Sequence, residues 1–256
     1  MSAPVFFIDA DRAARARPGD VVVLDGPEGR HAGVVQRLSP GEALDLVDGA
    51  GTRLQGRVLA VDGAQVTVEV SEVLREEHDG VRLVLVQALA KGDRDDLAIE
   101  AATEVGVDEV VPWQAERSVV VWRGERAARS RARWVATVRA ATKQSRRARE
   151  PGVTGLVTTS VLADRVRRVV ADGGAALVLH EQARVPIAAV RLPEPGAGAH
   201  DVLLVVGPEG GISDRETALL EEAGAATVRL GPHVLRTSTA GPVAVALLSE
   251  RLGRWG

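Results

Sequence analysis

Five apolar runs, at 81–89, 107–112, 175–180, 202–206 and 226–230, are separated by segments whose apolar residues recur at helical spacing. A strand is apolar along its whole length only when both faces are covered, and strand–helix alternation supplies that cover. The chain beyond residue 80 is therefore expected to be an α/β domain with a largely parallel sheet. The helix after the first run begins near Asp93, aligns Leu97, Ala101, Ala102 and Val105, and stops at Gly106, a favoured C-terminal cap. A longer helix, about 125–147, turns Trp134, Val138 and Ala141 inward and repeats Arg139, Lys143 and Arg147 every fourth residue on another face.

Residues 1–74 have a different rhythm. Pro18-Gly19, Pro40-Gly41, Asp48-Gly49 and Asp62-Gly63 mark turns between short strand candidates, while Val66, Val68 and Val70 alternate with Thr67 and Glu69. His31, Val34, Val35 and Leu38 fall at helical spacing. The expectation is a small β-barrel with one helix over 1–74, then a polar linker at 75–80 opening a second domain over 75–256. Residues 193–199 (PEPGAGA) read as a short flexible connection.

The absence of cysteine excludes disulfides, thiolate metal sites and cysteine nucleophiles, and makes a reducing compartment, the cytoplasm, the natural expectation. Histidines 31, 78, 180, 200 and 233 lack metal-ligand spacing, so no metal is expected. No segment approaches the roughly 18 apolar residues of a membrane span, and the N-terminus lacks an export signal. Two Phe and four Trp argue against a large base-stacking platform. The net charge of −3 hides an asymmetry: residues 117–149 hold ten arginines and Lys143 against one acidic residue, Glu125. That stretch suits a polyanion, the plain alternative being a solvated helix face.

Chemistry concentrates in three loops. In VVGPEGGISDRE (205–216) the apolar strand 202–206 runs into Gly207–Gly211, and Ser213 with Glu216 forms a capping box for the next helix. The loop thus lies at the carboxyl end of a strand, where open α/β sheets bind ligands. No lysine follows Gly211 as a phosphate loop requires, and the chain has no G-x-G-x-x-G fingerprint. One unit later, LGPHVLRTSTAG (230–241) brings Arg236 and the hydroxyls Thr237, Ser238 and Thr239 to a helix start. The preceding strand ends in LVLHEQ, presenting His180 and Glu181. Taken singly, each loop is also an ordinary turn.

Together, and with HAGVVQRL, GEALDLVDG, QALAKGDRDDLAIEAATEVGVDEVVPWQAERS and KQSRRAREP in order before them, these motifs resemble the bacterial 16S ribosomal RNA (uracil-N3)-methyltransferases of the SPOUT superfamily over nearly the whole chain. The resemblance implies a PUA-like β-barrel that helps hold RNA, a methyltransferase domain tied in a trefoil knot, S-adenosylmethionine as cofactor, and a homodimer. By position it implies cofactor contacts from His180 and Glu181, from Gly207, Pro208, Glu209, Gly210 and Gly211, and from Leu230, Gly231, Leu235, Arg236, Thr237, Ser238, Thr239 and Ala240. Arg236 is then placed to orient the uracil or stabilise charge at N3. His31, Arg37, Lys91, Arg117, Arg139, Lys143 and Arg147 become candidates for phosphates of 16S rRNA or the small ribosomal subunit. Ser238 and Lys143 stand where the family commonly has glutamate, Ala101 where it has lysine, and Val5 where arginine is frequent. Competing readings are a SPOUT enzyme acting at another RNA position and an RNA-binding adaptor without catalysis.

Overall fold

The computed structural model describes residues 3–76, 80–194 and 198–255, so His78 and parts of the 75–80 linker and the 193–199 connection lie outside the described residues. The chain divides into two units: Met1–Glu77 with Thr142–Glu150, and His78–Ala141 with Pro151–Gly256. The expected second domain therefore cedes 142–150 to the first unit, for identifiable reasons. Arg149 bridges to Gly49 and Ala50, Ala148 is buried with Val5, Phe7 and Val47, and Lys143 pairs with Glu28.

The first unit contains β1 (Val5–Phe7), α1 (Ala10–Arg15), β2 (Val21–Leu24), α2 (Gly26–Arg30), β3 (Ala43–Val47), β4 (Thr52–Asp62) and β5 (Gln65–Arg75). Its five strands form one sheet in the order β1-β3-β4-β5-β2. Gly63, at φ 55, takes the first central position of the two-residue turn joining β4 to β5, a position that requires positive φ. Val66, Val68 and Val70 are buried as their alternation demands.

Two helices rather than one pack here. Asp9 caps α1 by accepting from the Asp11 and Arg12 amides. α2 continues into one π-helical turn, His31–Val35, but Val34 and Val35 are exposed and Gly29 and Ala32 face inward. The reason is close approach: a Cβ on Gly29 would sit 2.2 Å from the Ala64 carbonyl oxygen, and one on Gly33 2.3 Å from that of Gly63. Small residues make this contact, so the large residues at helical spacing do not mark the buried face.

The second unit contains β6 (Arg82–Ala88), α3 (Arg94–Glu104), β7 (Glu109–Gln114), α4 (Gly124–Gln144, its last residues in the first unit), β8 (Gly152–Val153), β9 (Val157–Thr158), α5 (Thr159–Ala171), β10 (Ala175–Leu179), β11 (Val185–Pro186), β12 (Asp201–Val206), α6 (Asp214–Glu222), β13 (Ala226–Arg229) and α7 (Thr237–Arg251). The sheet is parallel throughout, ordered β11-β13-β10-β12-β6-β7-β8, with β9 also on β7. Leu83, Leu85, Leu177, Leu204 and Val206 pack with residues of α3, α4 and α7. Val84, Val86, Trp113, Val178 and Val205 pack with residues of α5 and α6. Both faces are covered, as the uninterrupted apolar runs require.

Two helix readings need correction. On α3 the buried residues are Asp95, Ala98, Ile99, Ala102 and Thr103, and Leu97 is 48% exposed. α4 ends at Gln144 because Arg146 turns the chain at φ 58, so Arg147 lies beyond the helix and off the Arg139–Lys143 row. Trp134, Val138 and Ala141 are buried as expected. Among the described residues no helix is long and apolar enough to cross a membrane.

Trp134 is fully buried and meets Trp122 edge-on, 5.1 Å between ring centroids. Replacing it with alanine is expected to cost about 3–5 kcal/mol of unfolding free energy, measured by urea denaturation. A loss below about 1 kcal/mol would show that the indole pair does not hold α4 in place.

Candidate active site

Adjacent parallel strands deliver their C-terminal loops to one side of the sheet. β12 lies between β10 and β6, so the loop leaving it at Gly207 emerges beside the one leaving β10 at His180, and the segment entering α7 closes over both. Between them is a cavity of about 610 Å³. It is lined by His180 and Glu181, by Gly207 through Gly211, and by Leu235, Arg236, Thr237 and Ala240. Three segments far apart in sequence thus meet as expected.

The third loop is only partly committed to the cavity. Thr237 and Ala240 line it, whereas Ser238 and Thr239 do not, because in the first turn of α7 positions three apart share a face and those between turn away. Leu230 and Gly231 line a small adjoining cavity of about 70 Å³ that shares His180, Glu181 and Leu235 with the main one.

The loop after β12 is held at three of the five carbonyls of Gly207–Gly211. Gly207 O accepts from the Thr237 hydroxyl at 2.7 Å, Pro208 O from the Gly211 amide at 2.9 Å, and Gly210 O from Arg117 Nη1 at 3.1 Å. Glu209 accepts from Arg94 Nη1 at 2.7 Å and from the Lys91 amide at 3.0 Å. Partial burial opposes ionisation of Glu209, but hydrogen bonds from its own amide, the Lys91 amide and Arg94 hold its carboxyl below the usual range. A side chain at position 207 would bring its Cβ within 2.6 Å of Ile212 Cγ1, so only glycine fits. Beyond the loop, the Ser213–Glu216 capping box forms as read. Glu216 also accepts from the Glu116 amide and the Thr159 hydroxyl, tying α6 to the segment just beyond β7 and to α5.

His180 is fixed at both ends. Its amide donates to Val228 O at 2.9 Å, and its Nδ1 accepts from the Gln182 amide at 3.2 Å, which requires an unprotonated Nδ1.

Several phosphate candidates are already engaged. Arg117 lines the cavity and grips Gly210; the Lys143 ammonium sits 2.7 Å from Glu28 and 5.3 Å from the centre of the Phe6 ring. Lys143 thereby finds its counter-charge within the first unit. His31 contacts Phe6 edge-on and shares a 3.1 Å hydrogen bond with Gln36, Arg37 is exposed at φ 56, and Lys91 and Arg139 are exposed.

Residues that sequence reasoning missed include Arg94, Gln182, Asp214 and Val234, all on the cavity wall. Gln182 directly follows the LVLHEQ histidine and glutamate and was recoverable. Arg94 was not, since its partner Glu209 lies 115 positions away. Among the described residues no group of three or more His, Cys, Asp or Glu could hold a metal ion.

The parallel sheet whose loops close on one cavity, and the small five-stranded unit that precedes it in sequence, are both similar to domains of two-domain RNA methyltransferases. An RNA methyltransferase domain model matches residues 77–249, and an RNA methyltransferase PUA domain model matches residues 24–71. The ribosomal RNA small subunit methyltransferase E of Mycobacterium bovis is 45% identical over 257 residues, covering 100% of this chain and 94% of that protein. The Bacillus subtilis protein of the same name is 28% identical, covering 88% of each. A crystal structure of ribosomal RNA small subunit methyltransferase E from Neisseria gonorrhoeae bound to S-adenosyl methionine superposes with a TM-score of 0.85, at 27% identity and 100% coverage of both chains. The chain belongs to the ribosomal RNA small subunit methyltransferase E family.

Beside the cavity, the first turn of α3 carries Asp95, which is 1% exposed. Burial, with the Asp96 charge adjoining, pushes its carboxyl up from the ordinary 3.8 to about 6, against hydrogen bonds from the Asp96 and Ala90 amides and the charge of Arg133. Between those two values the folded chain holds a proton that the unfolded chain has lost, so stability falls as pH rises through this window. Asp95→Asn, which cannot titrate, should gain on wild type by on the order of 2–3 kcal/mol between pH 4 and pH 7 in chemical denaturation. A constant difference across that range would refute the shift.

Proposed function

We propose that this chain methylates N3 of a uridine in 16S ribosomal RNA, consuming S-adenosylmethionine and releasing S-adenosylhomocysteine, 3-methyluridine and a proton. One observation supports the reading above the rest: the three loops of the family's motifs close on a single cavity in a chain of that family. The cavity's volume falls in the range of about 300–1,000 Å³ usual for small-molecule sites. Its walls combine apolar Leu179, Val206, Ile212 and Leu235 with the carboxylates of Glu181, Glu209 and Asp214 and the guanidiniums of Arg94, Arg117 and Arg236, a mixed lining that suits a nucleoside carrying groups of both charges.

The donor, when bound, supplies an electrophilic methyl group already activated by its sulfonium, so no protein nucleophile is required. The residues' task is alignment, worth several kcal/mol of the barrier. Backbone groups of Gly207–Gly211 and the 235–240 segment hold the adenosine. Arg236 orients the uracil and stabilises the negative charge that develops as N3 loses its proton. Glu181 is the candidate acceptor of that proton, with water the alternative. A paired uracil hides N3, so the target base is unpaired or turned outward.

The same proposal includes the rest of the working assembly. His31, Arg37, Lys91, Arg139 and Arg147 contact phosphates of 16S rRNA or the small subunit. The protein works in the cytoplasm as a homodimer, to which the exposed Leu97 and Leu247 on the neighbouring helices α3 and α7 lend support. The C-terminal segment is knotted: the insertion of β12 between β10 and β6, followed by β13 outside β10, agrees with such a path.

Small-subunit rRNA from a deletion strain should lack one 3-methyluridine by mass spectrometry, and the wild-type gene should restore it; an unchanged nucleoside profile would refute the assignment. Arg236→Ala is expected to lower kcat by about 10²-fold with a smaller change in KM for RNA. Unchanged turnover would remove Arg236 from the site. Arg37→Ser combined with Arg139→Ser should weaken RNA binding and flatten its log–log salt dependence by about one unit per lost phosphate contact, leaving S-adenosylmethionine affinity intact. An unaltered salt slope would show both arginines to be solvated surface.

A further inference from the structure

Gln87, at the end of β6, breaks an otherwise apolar pattern. Leu83 and Leu85 precede it on the same face of the strand, and Gln87 is fully buried among apolar neighbours. Its Nε2 donates to Thr237 Oγ1 at 2.9 Å and to Ala88 O at 3.2 Å, while its Oε1 is buried without a hydrogen-bond partner. Leaving a buried carbonyl oxygen unpaired is destabilising, and leucine or methionine would avoid that cost. Packing alone therefore does not account for glutamine here.

The hydrogen bonds have a direction. A threonine hydroxyl has one proton, and that of Thr237 is given to Gly207 O at 2.7 Å, so Thr237 must accept from Gln87 rather than donate to it. The opposite amide orientation would set Oε1 against Ala88 O and draw the threonine proton away from Gly207. The relay thus runs from Gln87 through Thr237 to Gly207 O. It is possible only because α7 lies close on β6: a Cβ on Gly241 would fall 2.8 Å from Leu85 Cδ1.

Gly207 O is the first carbonyl beyond β12, and Pro208 follows it, so the peptide plane between them is set by the ring on one side and by the Thr237 hydroxyl on the other. We propose that Gln87, which does not line the cavity, is a positioning residue: through Thr237 it fixes the Gly207–Pro208 peptide and with it the donor-binding face of the 207–211 loop. This rests on the reading of the cavity as the S-adenosylmethionine site.

The test uses the full-length protein, with S-adenosylmethionine titrated by calorimetry, amide hydrogen exchange of residues 209–211 measured without donor, and thermal unfolding. Thr237→Val should raise the Kd about 10-fold and speed exchange in the loop. Gln87→Met should raise the Kd about 3-fold, because Thr237 can still reach Gly207 without being oriented, while its melting temperature holds or rises as an orphaned oxygen is removed. Thr237→Ser should restore binding to near wild type. Wild-type Kd and loop exchange in Gln87→Met would overturn the proposal whatever Thr237→Val shows, because Thr237 itself lines the cavity, as would Thr237→Ser failing as badly as Thr237→Val. A wild-type protein that binds no S-adenosylmethionine would overturn the reading of the cavity itself, and this inference with it.

Discussion

Val202 to Val206 are at most 2% exposed, with β10 along one edge of β12, β6 along the other, and helices over both faces. A segment so enclosed tolerates only apolar side chains and spends its backbone polar groups on its neighbours. At its C-terminal end it opens onto the cavity. The loop that begins at Gly207 therefore starts in the middle of the sheet, flanked by the ends of other parallel strands, and its carbonyls have no further ladder to join. The Thr237 hydroxyl, the Gly211 amide and the Arg117 guanidinium take up three of them. The cavity wall is thus built largely from a pinned main chain, and glycine is needed where that chain packs tightest.

What the sequence revealed follows from how local each signal is. The five apolar runs correspond to β6, β7, β10, β12 and β13, because a doubly covered strand declares itself in its own residues. The two-residue strands β8, β9 and β11 leave no such trace. The Ser213–Glu216 box was readable because both partners lie within one helical turn. The inward face of α2 leaves no trace in the sequence, since glycines pressed against a neighbouring turn carry no hydrophobic signal. At the candidate site the three loops were legible as strand ends, and the resemblance joined them. Their fastenings were not: Glu209 with Arg94 and Gln87 with Thr237 span 115 and 150 positions, and nothing in either stretch alone indicates the other.

The arginine-rich stretch shows why charge counted along a chain overstates charge offered to a ligand. Arg131 gives its guanidinium to the carbonyls of Val153 and Thr154, Arg133 lies 3.3 Å from Asp96, and Arg149 hydrogen-bonds Glu76 O. Arg129 faces Glu125 one turn away. These bonds serve the fold: Arg131 ties α4 to the loop beyond β8, and Arg149 helps the 142–150 segment join the first unit. A basic run can be both structural and electrostatic. The carbonyl-bound arginines keep their positive charge while losing their freedom to reposition, so they add to a long-range field without acting as mobile phosphate grips.

A reaction that needs alignment rather than a protein nucleophile places its demands on backbone rigidity, because displacing a reacting group by an ångström can cost orders of magnitude in rate. Loops ordinarily supply little rigidity. Here it is borrowed from two directions. From β6 and α7 comes the hydrogen bond on Gly207; from the start of α3 come Arg94 and the Lys91 amide on Glu209. The second fastening adjoins the buried Asp95, whose raised carboxyl lies one residue from Arg94. Burying that group costs stability at neutral pH, and the cost falls beside the cavity rather than elsewhere in the core. Strain and unpaired polar groups persist at functional sites when the surrounding fold can bear them. The sheet beneath this cavity, apolar on both faces and parallel throughout, has the packing to do so.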